Sequence, residues 1–594
     1  MPATEAIRVR DTCNVWVLRR GRDGVCFDFG SGLVLEQLEE LGLDRITDVL
    51  VTHHHRDNVQ GLARAAAAGA RIWVPPVERQ LFTGARELWA RRRPENDYSL
   101  LQDRFSLLES VPIAGVAAEY RTREYGGIEV FTQPTPGHTP GSVTYLVGAE
   151  GRKLAFSGDL IYGPGQVWSL AATQWTYTGV EGQAATILSL GLLERQRPDV
   201  LLPTHGEPID DPPGAIGETR ARLAELMELR RVEREPWNLE RWLDDPWEVL
   251  SPHVLRNRTS LATSYALLSD SGSALLIDWG YDLWTGMPSG GELATCRPLL
   301  ESIGALRRNH GVERIETVVT THYHDDHVAG LNLLRDVEGT EVWSPENVAS
   351  ILEHPERYDL PCLWYEPIRV DRVLRPREPV AWHEYELTVH PLPGHTRYAA
   401  AIEFEADGLR VLATGDQQSR EADGTSILNY QYRNRFSIDD YVKSAELYER
   451  LQPDLLLTGH WGAHALTREQ LARLSDDGRR VAALHRELLP FGDAEGFPAR
   501  LTPYRSSVES GSELELAVEV RNPFVGARAV TVRLVLPEGW HAHPDPATFE
   551  LDGEGRATFT VVPSGEPAQV VIAADVTIGE TMFGQQAEAL VTVT

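Results

Sequence analysis

An apolar run ending in Thr317-Val318-Val319 passes directly into Thr320-Thr321-His322-Tyr323-His324-Asp325-Asp326-His327, so three histidines and two aspartates fall within six residues. A short loop at the end of a buried strand aims alternate side chains at one cavity, and imidazole with carboxylate is the ligand set zinc takes when thiolates are absent. The pattern also occurs earlier in the chain. Ile46-Thr47-Asp48-Val49-Leu50-Val51-Thr52 reads as a buried strand, and His53-His54-His55-Arg56-Asp57-Asn58 follows it, ahead of an alanine-rich helix from about Leu62.

Three further motifs follow each stretch in the same order. The first copy has Pro136-Gly137-His138, Ser157-Gly158-Asp159 and Pro203-Thr204-His205, and the second has Pro393-Gly394-His395, Thr414-Gly415-Asp416 and Thr458-Gly459-His460. His138 to Asp159 and His395 to Asp416 both span 21 positions, while Asp159 to His205 spans 46 and Asp416 to His460 spans 44. Flanking residues repeat as well, Asp28-Phe29-Gly30 matching Asp278-Trp279-Gly280. Such self-similarity means that one domain occurs twice.

The ordered set resembles the signature of the metallo-β-lactamase superfamily, over about 480 of the 594 residues. That resemblance implies two tandem αββα sandwiches, each with two mixed sheets between helices. In the second copy it implies one zinc on His322, His324 and His395, another on Asp326, His327 and His460, and Asp416 bridging them. Two such dications share a water and lower its pKa, so that hydroxide exists near neutral pH. Asp326 is the candidate catalytic residue, orienting this nucleophile and passing a proton to the leaving group. The activity implied is zinc-dependent hydrolysis of an ester, thioester or lactone, chiefly in the second copy. An iron-dependent redox enzyme of the sulfur dioxygenase type and a non-enzymatic binding or scaffold protein with vestigial sites are the alternatives.

In the first copy Asn58 stands where the second has His327, and an amide oxygen is a weaker zinc donor than imidazole. His53, His55 and His138 are expected to hold one metal, with Asp57, Asp159 and His205 beside it for a weaker second. A weakened or accessory site is the expectation, against a purely structural or pseudo-domain role.

A length of 594 residues exceeds one core, and about 100–200 residues per domain suggests several units. The motifs place metallo-β-lactamase-like domains at 1–211 and 251–490, a helical linker at 212–250 that includes Trp237 and Trp247 as packing residues, and a further domain at 500–594. After residue 493 the texture changes to short alternating runs such as Leu514–Val520, Ala529–Leu536 and Ala557–Val562 between Gly/Pro turns, the pattern of an all-β, immunoglobulin-like sandwich. Arg521-Asn522-Pro523 and Leu536-Pro537-Glu538-Gly539-Trp540 resemble the small sandwich domains appended to α-galactosidases.

A formal charge of −30 opposes nucleic-acid binding, which relies on basic surface, and leaves a small molecule as the expected partner, with the oligomeric state open. The start of the chain has no basic segment followed by an apolar stretch, and no run approaches a membrane span, so a cytoplasmic protein without membrane contact is expected. Four scattered cysteines suggest neither a disulfide scaffold nor a thiolate metal site. Tyr281–Pro298 and Asn429–Arg435, which extend the second copy, are the candidates for substrate contacts. Arg397 reads as a surface salt-bridge partner, with an anionic substrate as the alternative. His383 and His390 read as strand-exposed.

Overall fold

The computed structural model describes residues 5–91, 105–149, 151–175, 181–229, 245–280, 297–421, 424–431, 434–489 and 499–594. The chain divides into two compact units, one running to Pro246 and the other from Trp247 to Thr594, with a segment ending at Ala305 grouped with the first.

The first unit is built on a six-stranded sheet facing a five-stranded one. Asn14–Arg20 and Asp23–Phe27 form a hairpin about Gly21, and Asp23–Phe27 then pairs in parallel with Arg45–Leu50. Side chains on a strand alternate between its faces, and here both faces are covered. Val15 and Val17 join the core beneath the helices, whereas Trp16 and Leu18 join the core between the sheets. That double burial is why the strand reads as an unbroken apolar run. Phe27 from one sheet stacks on Phe156 from the other, with centroids 3.6 Å apart.

The stretch read as a helical linker begins with a helix and ends in a strand. Asp211 accepts a hydrogen bond from the Gly214 amide and starts a helix over Pro212–Leu229, where prolines cost nothing because the first-turn N–H groups lack helical partners. Its Leu223 and Met227 pack with Ala184 and Ile187 of the helix Glu181–Arg195. Trp247 is buried at the start of the strand Trp247–Ser251, the edge of the second copy's first sheet. Trp237 lies outside the described residues.

The second copy repeats the plan with a seven-stranded and a six-stranded sheet. Tyr265, Leu267, Leu275 and Ile277 of the first meet Val389, Ile402, Val411 and Leu457 of the second. Its closing helix, Arg468–Leu488, is set by a capping box in which the Thr467 hydroxyl accepts from the Gln470 amide and the Gln470 side chain accepts from the Thr467 amide.

Residues 499–594 form a four-stranded and a five-stranded sheet around one core that includes Leu516, Val518, Val532, Phe559 and Val576. The alternation Leu516, Val518, Val520 inward and Glu515, Glu519 outward fits one face packed and one left polar. Among the described residues, no helix is long and apolar enough to cross a membrane.

Because Phe27 is nearly fully buried between the two sheets, Phe27→Ala is expected to cost about 3–5 kcal/mol. An early transition in urea should report it, and a loss below about 1 kcal/mol would contradict a shared intersheet core.

Candidate metal centres

The predicted ligands of the second copy follow strand ends, with Asp326 and His327 on the short helix Asp325–Val328. Arg314–Val319 leads to His322, Tyr385–Pro391 to His395, Leu409–Gly415 to Asp416 and Leu455–Thr458 to His460. Isolated bridges from His322 to Ala399 and from His324 to Leu363 fix the loop's backbone. Asp278 ends the neighbouring strand with φ +55°, a conformation that side chains rarely adopt. Its carboxylate accepts the Thr321 amide and hydroxyl at 2.7 and 2.6 Å and meets His327 Nδ1 at 2.7 Å. Gly459 is required by close approach, since a Cβ there would run into the Asp416 carboxylate.

The ligand atoms of His322, His324 and His395 lie within 4.8 Å of one another, as do those of Asp326, His327 and His460, and each group could hold a metal ion. Asp416 stands between the groups: its oxygens are 3.2 Å from His460 Nε2, 3.3 Å from His327 Nε2 and 3.6 Å from His395 Nε2. Asp326 lies 3.0 Å from His460 Nε2. The buried Nε2 atoms of His322, His324 and His327 and Oδ1 of Asp416 have no hydrogen-bond partner among the described residues. Leaving such groups unmet costs about 1–3 kcal/mol each, so they fit a bound cation better than a packed core.

The electrostatics point the same way. Burial holds His322 well below the usual histidine range, and burial with the neighbouring His395 pushes His324 down to about 3, which keeps both rings neutral and able to donate a lone pair. Burial opposes charge on His460 too, but Asp416 and a hydrogen bond to Asp326 outweigh it and push it up to about 10. The part of the site that holds Asp326 and Asp416 therefore favours positive charge. The side chains of His460 and Asp326 are 26% and 20% exposed while those of His322 and His327 are buried, so the site opens on the His460 side.

The first copy assembles only part of this. His53, His55 and His138 form a three-histidine group with ligand atoms within 4.8 Å, and Asp159 lies 3.4 Å from His138 and 3.6 Å from His53. Asp57, Asn58 and His205 do not form a matching second group among the described residues. The Asn58 amide nitrogen lies 2.8 Å from His53 Nε2, and His205 turns Nδ1 to Asp159 at 2.9 Å, leaving its Nε2 3.5 Å from Asp57. Trp168 stacks flat on His205 with centroids 4.1 Å apart. Asp28, at φ +58°, binds Thr52 as Asp278 binds Thr321, but its third donor is the Thr204 hydroxyl at 2.8 Å in place of an imidazole. Burial pushes Asp28 up to about 7, against the hydrogen bonds from Thr52 and Thr204.

Sequence reasoning passed over Asp28 and Asp278 as site residues, although the repeated Asp-aromatic-Gly at a strand end was a usable signal. Within 429–435, Asn429 and Asn434 support the centre: the Asn429 carbonyl meets His395 Nδ1 at 3.0 Å, and Asn434 donates to the His395 carbonyl at 3.0 Å. Tyr432, Arg433 and residues 281–296 lie outside the described residues. His390 is buried and meets Glu403 of the neighbouring strand Ala400–Ala406 at 2.7 Å, a correction to its reading as strand-exposed. Arg397 pairs with Glu554 at 3.1 Å.

Comparison with known proteins bears on the whole arrangement. A hydroxyacylglutathione hydrolase of Pseudomonas savastanoi pv. phaseolicola is 29% identical over 123 residues, which are 20% of this chain and 36% of that protein. A probable metallo-hydrolase of Streptococcus pyogenes is 32% identical over 119 residues, 19% of this chain and 50% of that one. The chain thus spans half or less of the length of these curated relatives. A solved metallo-beta-lactamase from Cronobacter sakazakii is 19% identical, with 41% of this chain and 97% of that one covered and a TM-score of 0.31. The family model described as the metallo-beta-lactamase superfamily matches residues 8–205 and again 259–460, each spanning one complete set of motifs, and the chain belongs to that superfamily.

Proposed function

We propose that the chain is a zinc-dependent hydrolase of small carbonyl compounds, with a thioester as the favoured substrate and esters or lactones as related ones, and that its main site is in the second copy. The observation that carries this reading is Asp416, whose carboxylate stands between two three-ligand groups with unmet ring nitrogens. Relatives named hydroxyacylglutathione hydrolases support an acyl-sulfur bond as the target. In this reading His322, His324 and His395 would hold one zinc and Asp326, His327 and His460 the other, with Asp416 within reach of both groups. Two bound dications supply an acidified water and a Lewis acid for the scissile carbonyl.

The protein's own groups complete the chemistry. Asp326, partly exposed beside His460, is placed to take a proton from the attacking water and hand it to the departing sulfur or oxygen. Asp278 fixes the His327 ring through Nδ1, and the Asn429 carbonyl does the same for His395, so each ring presents its other nitrogen to the site. No serine or cysteine nucleophile is needed. The first copy, in this reading, holds one metal on His53, His55 and His138 and serves as a weaker or accessory site.

Initial rates of the zinc-loaded protein on a panel of thioesters, aryl esters, lactones and β-lactams test the reading. Asp326→Ala should lower the thioester rate by about 10²–10⁴. Asp416→Ala should in addition reduce the zinc retained after dialysis, and rates unchanged in both variants would sink the assignment. Metal analysis gives an independent check: about three zinc ions per chain are expected, two in the second copy and one in the first. Asn58→His restores the missing imidazole beside Asp28 and should raise the content toward four; an unchanged value would place the block in the orientation of His205 instead.

A further inference from the structure

We propose that the cleft between the second metallo domain and the C-terminal sandwich binds a small polyanion, a ligand carrying a diphosphate or an equivalent pair of oxyanions. The cleft has a volume of about 540 Å³, room for a small organic molecule. Six arginines line it against three carboxylates, in a chain whose formal charge is −30. Such a local reversal of sign is not accounted for by solubility or by general surface composition.

The arginines converge from both domains for identifiable reasons. In the sandwich, residue alternation turns Leu501, Val518, Val520 and Phe559 into the core and leaves Arg500, Glu519, Arg521 and Arg556 on the outer face of one sheet. Register places Arg500 and Arg556 on either side of Glu519, and Arg521 opposite Glu554. This face looks onto Arg357, Arg397 and Arg435 of the metallo domain. Glu554 is taken by Arg397. Arg435 is held by two neutral oxygens, the Tyr398 hydroxyl at 3.2 Å and the Asp359 carbonyl at 2.8 Å. Partial burial, then the positive charges of Arg435 and Arg397, push Arg500 down to about 10, as expected for a guanidinium among like charges.

Guanidinium forks match paired oxyanions bidentately, and several of them around one cavity are suited to a diphosphate more than to a single carboxylate. The cleft is separate from the metal ligands, although its wall includes Arg397, two residues beyond His395. Binding there does not depend on the hydrolase reading.

Titration calorimetry of the zinc-loaded full chain with inorganic pyrophosphate at low salt tests this. A saturable site with a dissociation constant below about 1 mM is expected, weakening as chloride screens the arginines. The double variant Arg500→Gln, Arg556→Gln should bind at least about tenfold more weakly, while Asp416→Ala should keep the site. Should the double variant unfold at a lower temperature than the parent, Arg357→Gln on the exposed rim of the other domain provides the same readout. Citrate separates a phosphate-reading site, which prefers pyrophosphate, from a general polyanion site, which takes both, and either supports the assignment. Absence of saturable binding, or binding that survives the arginine changes and disappears with Asp416→Ala, would overturn it by placing the anion at the metal centre or nowhere.

Discussion

A carboxylate buried at the end of a strand must have its lone pairs met, and in each copy of this domain that requirement organises the site. Asp278 accepts the amide and hydroxyl of Thr321, which fixes the residue before His322, and its second oxygen also holds His327. One buried acid therefore sets the backbone of the histidine loop and the ring of a ligand that lies six positions further along the chain from Thr321. Asp28 does the same for Thr52, and through Thr204 it also reaches the second sheet of its domain. Both aspartates take a left-handed backbone conformation to do so, a local cost borne by the surrounding hydrogen bonds.

The difference between the copies follows from that same point. With His327 present, Asp278 receives an imidazole, and the other ring nitrogen is directed at Asp416. In the first copy Asn58 sets its amide against His53, Asp28 accepts from Thr204 where the second copy has Gly459, and His205 turns onto Asp159. Two sequence differences, Asn58 for His327 and Thr204 for Gly459, thus accompany three changed side-chain partnerships. The first copy keeps a three-histidine group of His53, His55 and His138.

Much of the architecture was legible because both faces of the central strands are buried. Val15-Trp16-Val17-Leu18 and Ala274-Leu275-Leu276-Ile277 stand out as continuous apolar runs, and the turn beside each carries Gly and Asp. The closing helix was expected over about 468–489, and the capping box of Thr467 and Gln470 that starts it was seen only in the structure. In 212–250 the Leu and Met spacing announced an amphipathic helix, but not that Leu223 and Met227 would pack on Ala184 and Ile187. His390 likewise looked exposed because a single strand does not reveal that Glu403 on its neighbour will partner it.

Motif order and spacing determined, from the amino-acid sequence alone, that the chain carries the same metallo domain twice, which residues could bind metal in each, and that Asn58 breaks the match. Those are local properties, fixed by residue type and by the fact that strand ends deliver their loops to one edge of a sheet. Tertiary structure alone decided that Asp28 and Asp278 anchor the loops and that six arginines from two domains surround one cleft. Each of these joins residues tens to nearly two hundred positions apart, and no pattern along the chain encodes which distant side chain will satisfy a buried charge.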